Sequence, residues 1–134
     1  PGPLTVVVAD PSAARAAWER DGRSLVEGVA LARDLISTPS NMKYPERFVA
    51  LARERLAGAP GLRIEVLDAP AMQRLGMGII LAAGQGSERP PRMMIVEYRG
   101  PGASGAPIAL AGKGITFDTG GISIKPAADM WRMR

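Results

Sequence analysis

The chain has 134 residues, enough for about one domain. With 46% hydrophobic and 22% charged residues it can bury a core, which excludes a disordered polymer. It has no cysteine and no histidine, which excludes disulfides, thiolate nucleophiles, Ser-His-Asp triads and Cys- or His-based metal sites. The net charge is +4, yet the arginines are scattered among acids and not interleaved with the two tryptophans and two tyrosines, so nucleic acid is not the expected partner.

The opening Pro1-Gly2-Pro3 lacks an initiator methionine and the basic start of a signal peptide, which points to processing, an artificial boundary or a fragment. No apolar run approaches the ~18 residues of a spanning helix, so no membrane partner is expected. The absence of cysteine fits a cytoplasmic protein.

Leu4 to Ala9 is a short apolar, β-branched run and reads as a strand. Asp10-Pro11 then reads as an N-cap followed by proline at the first helical position. Ala14, Trp18, Leu25, Val29, Ala32 and Ile36 follow at helical spacing, which predicts a long amphipathic helix with a break near Asp21-Gly22. Ser37-Thr38-Pro39-Ser40-Asn41 ends it, because residues before proline avoid the helical region.

Pro45 opens a second helix with Phe48, Val49, Ala52 and Leu56 on one face, stopped by Gly58 and Pro60. Leu62, Ile64 and Val66 alternate with Arg63 and Glu65, the pattern of a half-buried strand. Ala69 to Leu75 reads as a short helix. Met77 to Ala83, Arg92 to Tyr98 and Pro107 to Ala111 read as strands. Strands alternating with helices predict an α/β layered fold.

The chemistry concentrates in residues 111 to 126. Two of the chain's three lysines, Lys113 and Lys125, lie here among apolar residues and glycines. Burial disfavours a lysine's charge, so such a side chain can serve as a neutral amine ligand or as a cation aimed at one oxygen. Asp118, five residues after Lys113, can supply a hard oxygen ligand. A plain turn with an exposed lysine would also fit Gly112-Lys113-Gly114. A phosphate loop does not fit, since Gly-x4-Gly-Lys-Ser/Thr is absent.

The run Gly112-Lys113-Gly114-Ile115-Thr116-Phe117-Asp118-Thr119-Gly120-Gly121-Ile122-Ser123-Ile124-Lys125 closely resembles the metal-site segment of the leucine aminopeptidase family. Ala32 to Asn41 is similar to the segment that leaves the family's linking helix and enters its catalytic domain. Gly84 to Arg92 looks like a family loop before a core strand. The resemblance spans about residues 25 to 134. It implies an α/β fold: the end of an N-terminal domain or linker over residues 1–10, a linking helix over 11–37, and over 38–134 the first part of a mixed or parallel-sheet catalytic domain with helices on both faces.

The resemblance also implies roles. Lys113 matches a lysine that coordinates one metal through its neutral amine, and Asp118 matches a carboxylate bridging two metals. Lys125 matches a lysine that stays cationic and polarises the scissile carbonyl. Met133 falls where the family lines the pocket for the substrate's first side chain, although an ordinary core methionine fits equally. Two divalent ions, zinc or manganese with magnesium or cobalt as alternatives, would activate a water for hydrolysis of an N-terminal residue from a peptide substrate. A homo-hexamer is implied as well.

The next metal aspartate of the family would fall two positions beyond Arg134, and a later acidic segment supplies further ligands. The chain alone is therefore expected to be inactive without the remainder of the enzyme. Asp129 does not stand in for that aspartate by family spacing, and it reads as an exposed acid at a helix start. Trp131-Arg132 departs from the family's acid-plus-aliphatic pair, and Tyr44 stands where a threonine-like cap is usual. A second reading stays open: a non-catalytic scaffold or nucleic-acid-binding derivative of the same fold.

Overall fold

A computed structural model of the chain describes residues 2–130. Met133 and its neighbours Trp131, Arg132 and Arg134 lie outside the described residues. The chain divides into two compact units, Pro1–Ser37 and Thr38–Arg134.

The first unit is helical from residue 11 to residue 37. It comprises α1 (Pro11–Ala17), a π-helical turn over Trp18–Gly22, and α2 (Arg23–Ser37). Asp10 caps α1 as its position before Pro11 predicts: its Oδ1 accepts the Ser12 and Ala13 N–H groups, each at 3.0 Å. Near Gly22, where a break is predicted, the helix instead widens and continues. Leu4 to Ala9, predicted as a strand, is irregular and exposed. A short β-branched run has a preference but no structure until another strand pairs with it.

In the second unit Pro39 turns the chain, its carbonyl accepting the Met42 and Lys43 N–H groups at 2.9 Å each. The helix α3 (Pro45–Leu56) starts at its proline and buries Val49 and Ala52, on the predicted face. The strand β1 (Leu62–Leu67) alternates half-buried and exposed residues up to Val66, as its sequence alternates. Asp68 then caps α4 (Ala69–Arg74), with Oδ1 accepting the Ala71 N–H at 2.9 Å, and α4 buries Met72 completely.

Residues 77–83, predicted as a strand, form instead the helix α5 (Gly78–Ala83). An apolar run of this length has no period to choose by, and Leu81-Ala82-Ala83 are good helix formers. The strand β2 (Met93–Tyr98) pairs antiparallel with β1, Leu62 opposite Tyr98 through Leu67 opposite Met93. The helices α3 and α4 contact β1. Val49, Ala52 and Met72 form the buried core among the described residues. This is an α/β unit, as predicted. Pro107 to Ala111, predicted as a strand, has no regular structure and no strand partner among the described residues, with Ile108 91% exposed.

Candidate functional site

After β2 the chain runs from Pro101 to Asp129 without a helix or strand among the described residues. Its order is local and made by polar groups. The Asp118 carboxylate accepts the Gly120 N–H on Oδ1 at 2.8 Å, an Asx-type turn. Its other oxygen, Oδ2, accepts the Lys125 ammonium at 3.0 Å. The Lys125 backbone N–H donates to the Thr119 carbonyl at 2.8 Å and closes the loop 119–125.

Gly120 makes this closure feasible. Its φ is +88°, and a Cβ there would run into the Ser123 carbonyl and lie 3.0 Å from the Lys125 nitrogen. Sequence reasoning singles out the two lysines and Asp118 but not Thr119 and Gly120, which aim them. The signal for these is the Asp-Thr-Gly order itself, an Asx-turn pattern.

The carboxyl of Asp118 is held below the usual carboxylate range. The Gly120 N–H is the main cause, followed by the Lys125 hydrogen bond and charge, with the Lys113 charge contributing least. Of the residues named from sequence, Lys125 touches Asp118 directly, while Lys113 acts on it only weakly. The sequence predicts desolvation at both lysines. Lys125 is partly covered, its side chain 29% exposed, whereas Lys113 is exposed. The apolar residues flanking Lys113, such as Ile115 and Phe117, are themselves exposed and so cannot desolvate it.

Asp129 is exposed and sits at φ +60° in a turn, directly before Met130, the last described residue. Tyr44, the departure at the cap of α3, makes no side-chain cap bond. Its ring instead lies 4.3 Å below the Arg89 guanidinium, tying the Gly84–Arg92 loop to the start of α3.

A divalent ion asks for hard or amine donors, and Asp118 and Lys113 fit it in kind. No group of three or more His, Cys, Asp or Glu among the described residues could hold an ion by itself. In kind, an amine, a carboxylate and a nearby cation are the parts of a metal-assisted hydrolase site.

Residues 30–134 match the model of the cytosol aminopeptidase family, catalytic domain. The chain belongs to that family. It is 47% identical over 131 residues to a probable cytosol aminopeptidase of Rhizobium etli (strain CIAT 652), covering 98% of this chain and 26% of the relative. It is 46% identical over 133 residues to one of Bradyrhizobium sp. (strain BTAi1 / ATCC BAA-1182), covering 98% and 26%. It is 47% identical over 131 residues to one of Methylibium petroleiphilum, covering 98% and 27%. The chain thus spans about a quarter of the length of the curated relatives it matches. Among the described residues no helix is long and apolar enough to cross a membrane.

Proposed function

We propose that this chain is the part of a metal-dependent aminopeptidase that supplies two metal donors and one catalytic cation for removing an N-terminal, leucine-like residue from a peptide. The observation that supports this reading is the contact of Lys125 with Asp118 on a loop that also carries Lys113, in a chain of the cytosol aminopeptidase family. Two divalent ions, zinc or manganese, would supply an activated water and hold the substrate's amine and carbonyl.

The chain's own residues do the rest. Asp118 would be the carboxylate donor, and the Gly120 N–H and Lys125 hold its carboxyl below the usual carboxylate range. Lys113 would offer its side-chain nitrogen as a donor to one divalent ion. Lys125 keeps its charge and meets the carbonyl oxygen on which negative charge develops. Met133 would line the pocket for the leaving residue's side chain. The relatives' name supports work in the cytosol. Assembly as a hexamer, with the remaining ligands supplied by further parts of the enzyme, rests on the family resemblance.

The test is a chimera in which this chain replaces the matching 131 residues of the Rhizobium etli relative. We expect divalent-dependent release of leucine from a leucyl peptide by the chimera, and none by the 134-residue chain alone. Lys125→Met in the chimera should lower kcat by about 10²- to 10³-fold, the usual effect of losing an oxyanion-stabilising group. A folded but inactive chimera, or efficient turnover by the chain alone, would sink the proposal.

A further inference from the structure

The two strands of the sheet are built differently. β1 alternates: Leu62, Ile64 and Val66 are half-buried, while Arg63 and Glu65 are exposed. β2 does not alternate. Met93, Met94, Ile95, Val96 and Tyr98 are apolar or aromatic, so both of its faces are apolar and only Glu97 interrupts them. Strands apolar on both faces belong to the interior of a sheet that is covered above and below. Yet Ile95, Val96 and Tyr98 are exposed.

The edges differ in the same sense. The Arg99 N–H donates to the Gly61 carbonyl at 2.8 Å, in register with Leu62 opposite Tyr98 through Leu67 opposite Met93. In an antiparallel pair every second residue turns its backbone groups to the partner strand. Met93, Ile95, Glu97 and Arg99 therefore face β1, and Met94, Val96 and Tyr98 turn their N–H and C=O groups outward. Among the described residues the sheet has two strands, so nothing pairs with those groups. An edge meant to stay open is guarded by proline, lysine, inward charge or a bulge. The three outward positions of β2 carry none of these, whereas β1 carries Arg63 and Glu65.

We infer that the outer edge of β2 is a docking edge, taken in the whole enzyme by an extended apolar strand from the part that this chain does not span, while β1 remains the border of the sheet. The chain spans about a quarter of its relatives' length, so the whole enzyme has ample further chain to supply that strand. Strand addition would supply backbone hydrogen bonds along the edge, with Met94, Val96 and Tyr98 packing beside the newcomer's side chains. None of this depends on which residues hold a metal.

The experiment reads amide hydrogen exchange residue by residue in the 134-residue chain and in its chimera with the Rhizobium etli relative. In the chain alone, the Ile95, Glu97 and Arg99 amides should exchange slowly and those of Met94, Val96 and Tyr98 fast. In the chimera the latter three should slow by on the order of a hundredfold or more as ladder bonds form, while Ile64 and Val66 on the β1 border stay fast. Val96→Pro deletes one outward N–H, so it should leave the chain folded but remove the chimera's protection at Met94 and Tyr98. If Met94, Val96 and Tyr98 stay fast in a folded chimera, or Ile64 and Val66 slow in their place, the inference is overturned, and turnover by that chimera leaves the aminopeptidase reading standing. Protection that survives Val96→Pro would mean covering without pairing and overturns it too, as would slow exchange at the three positions in the chain alone, where a second copy or residues 107–111 would hold the edge. Slowed amides in an inactive chimera would keep the edge and sink the proposed function. A chimera that does not fold sinks both.

Discussion

Residues 45–98 and residues 101–130 belong to the same unit and are organised in opposite ways. The first stretch commits its backbone hydrogen bonds to helices and a strand pair, and buries Val49, Ala52 and Met72. The second buries none of its apolar residues: Ile108, Leu110 and Ile122 are 91%, 95% and 108% exposed. Its order is a handful of hydrogen bonds around Asp118. Packing therefore makes the scaffold, while polar contacts on a glycine-rich loop make the site. A loop leaves N–H groups such as that of Gly120 free to aim a side chain, which a strand would have committed to its neighbour.

The largest expected effect tests that division directly. Met72 on α4 is fully buried, so Met72→Ala removes its contacts and leaves a cavity. It should cost about 2–5 kcal/mol in urea unfolding. Ile122→Ala should change stability by less than about 0.5 kcal/mol, as surface substitutions do. Comparable losses for both would mean that residues 101–130 pack after all.

A second pair separates scaffold from site at matched backbone strain. Gly61 has φ +72°, and a Cβ there would collide with the Arg99 carbonyl, beside the Arg99 N–H to Gly61 carbonyl bond of 2.8 Å that closes the β1–β2 pair. Gly61→Ala should cost about 2 kcal/mol of global stability. Gly120→Ala meets equal strain at φ +88°, but its loop can rearrange without disturbing the core. The unfolding midpoint should hold while the Lys125–Asp118 contact disappears from the NMR spectrum. A global loss in Gly120→Ala would show that the site loop is part of the folding unit.

Legibility in the sequence divides along the same line. The cap at Asp10, proline at the start of α3, and the alternation of Leu62 to Val66 are local signals, and each produces its element. The three misread runs, Leu4–Ala9, Met77–Ala83 and Pro107–Ala111, are short and largely apolar. For these, only the presence or absence of a neighbouring strand selects the conformation, and no local residue encodes that. The site's chemistry is legible in residue type and spacing. The exposure of Lys113 is not, because it depends on what covers Ile115 and Phe117.

The smallest effect contrasts two carboxylates held below the usual range, one in each stretch. Glu97 on β2 is lowered chiefly by the Arg99 side chain, whose Nε lies 2.7 Å away, with Arg63 across the strand pair adding a little. Asp118 is lowered chiefly by the Gly120 backbone N–H. Because each folded carboxyl is more acidic than its unfolded counterpart, each favours the folded form above the ordinary carboxylate range, and that contribution fades as pH falls through the lowered value. Salt distinguishes them. At about 1 M ionic strength the screening length is roughly 3 Å, which weakens mobile surface charges but leaves a backbone dipole two residues away in place. Raising salt from about 0.05 to about 1 M should therefore return the Glu97 midpoint most of the way to its ordinary value, as read by carboxyl ¹³C titration, while Asp118 stays depressed. Equal recovery of the two would mean that Lys125, not the Gly120 turn, holds Asp118 ionised, and that the loop's geometry results from the ion pair rather than preceding it.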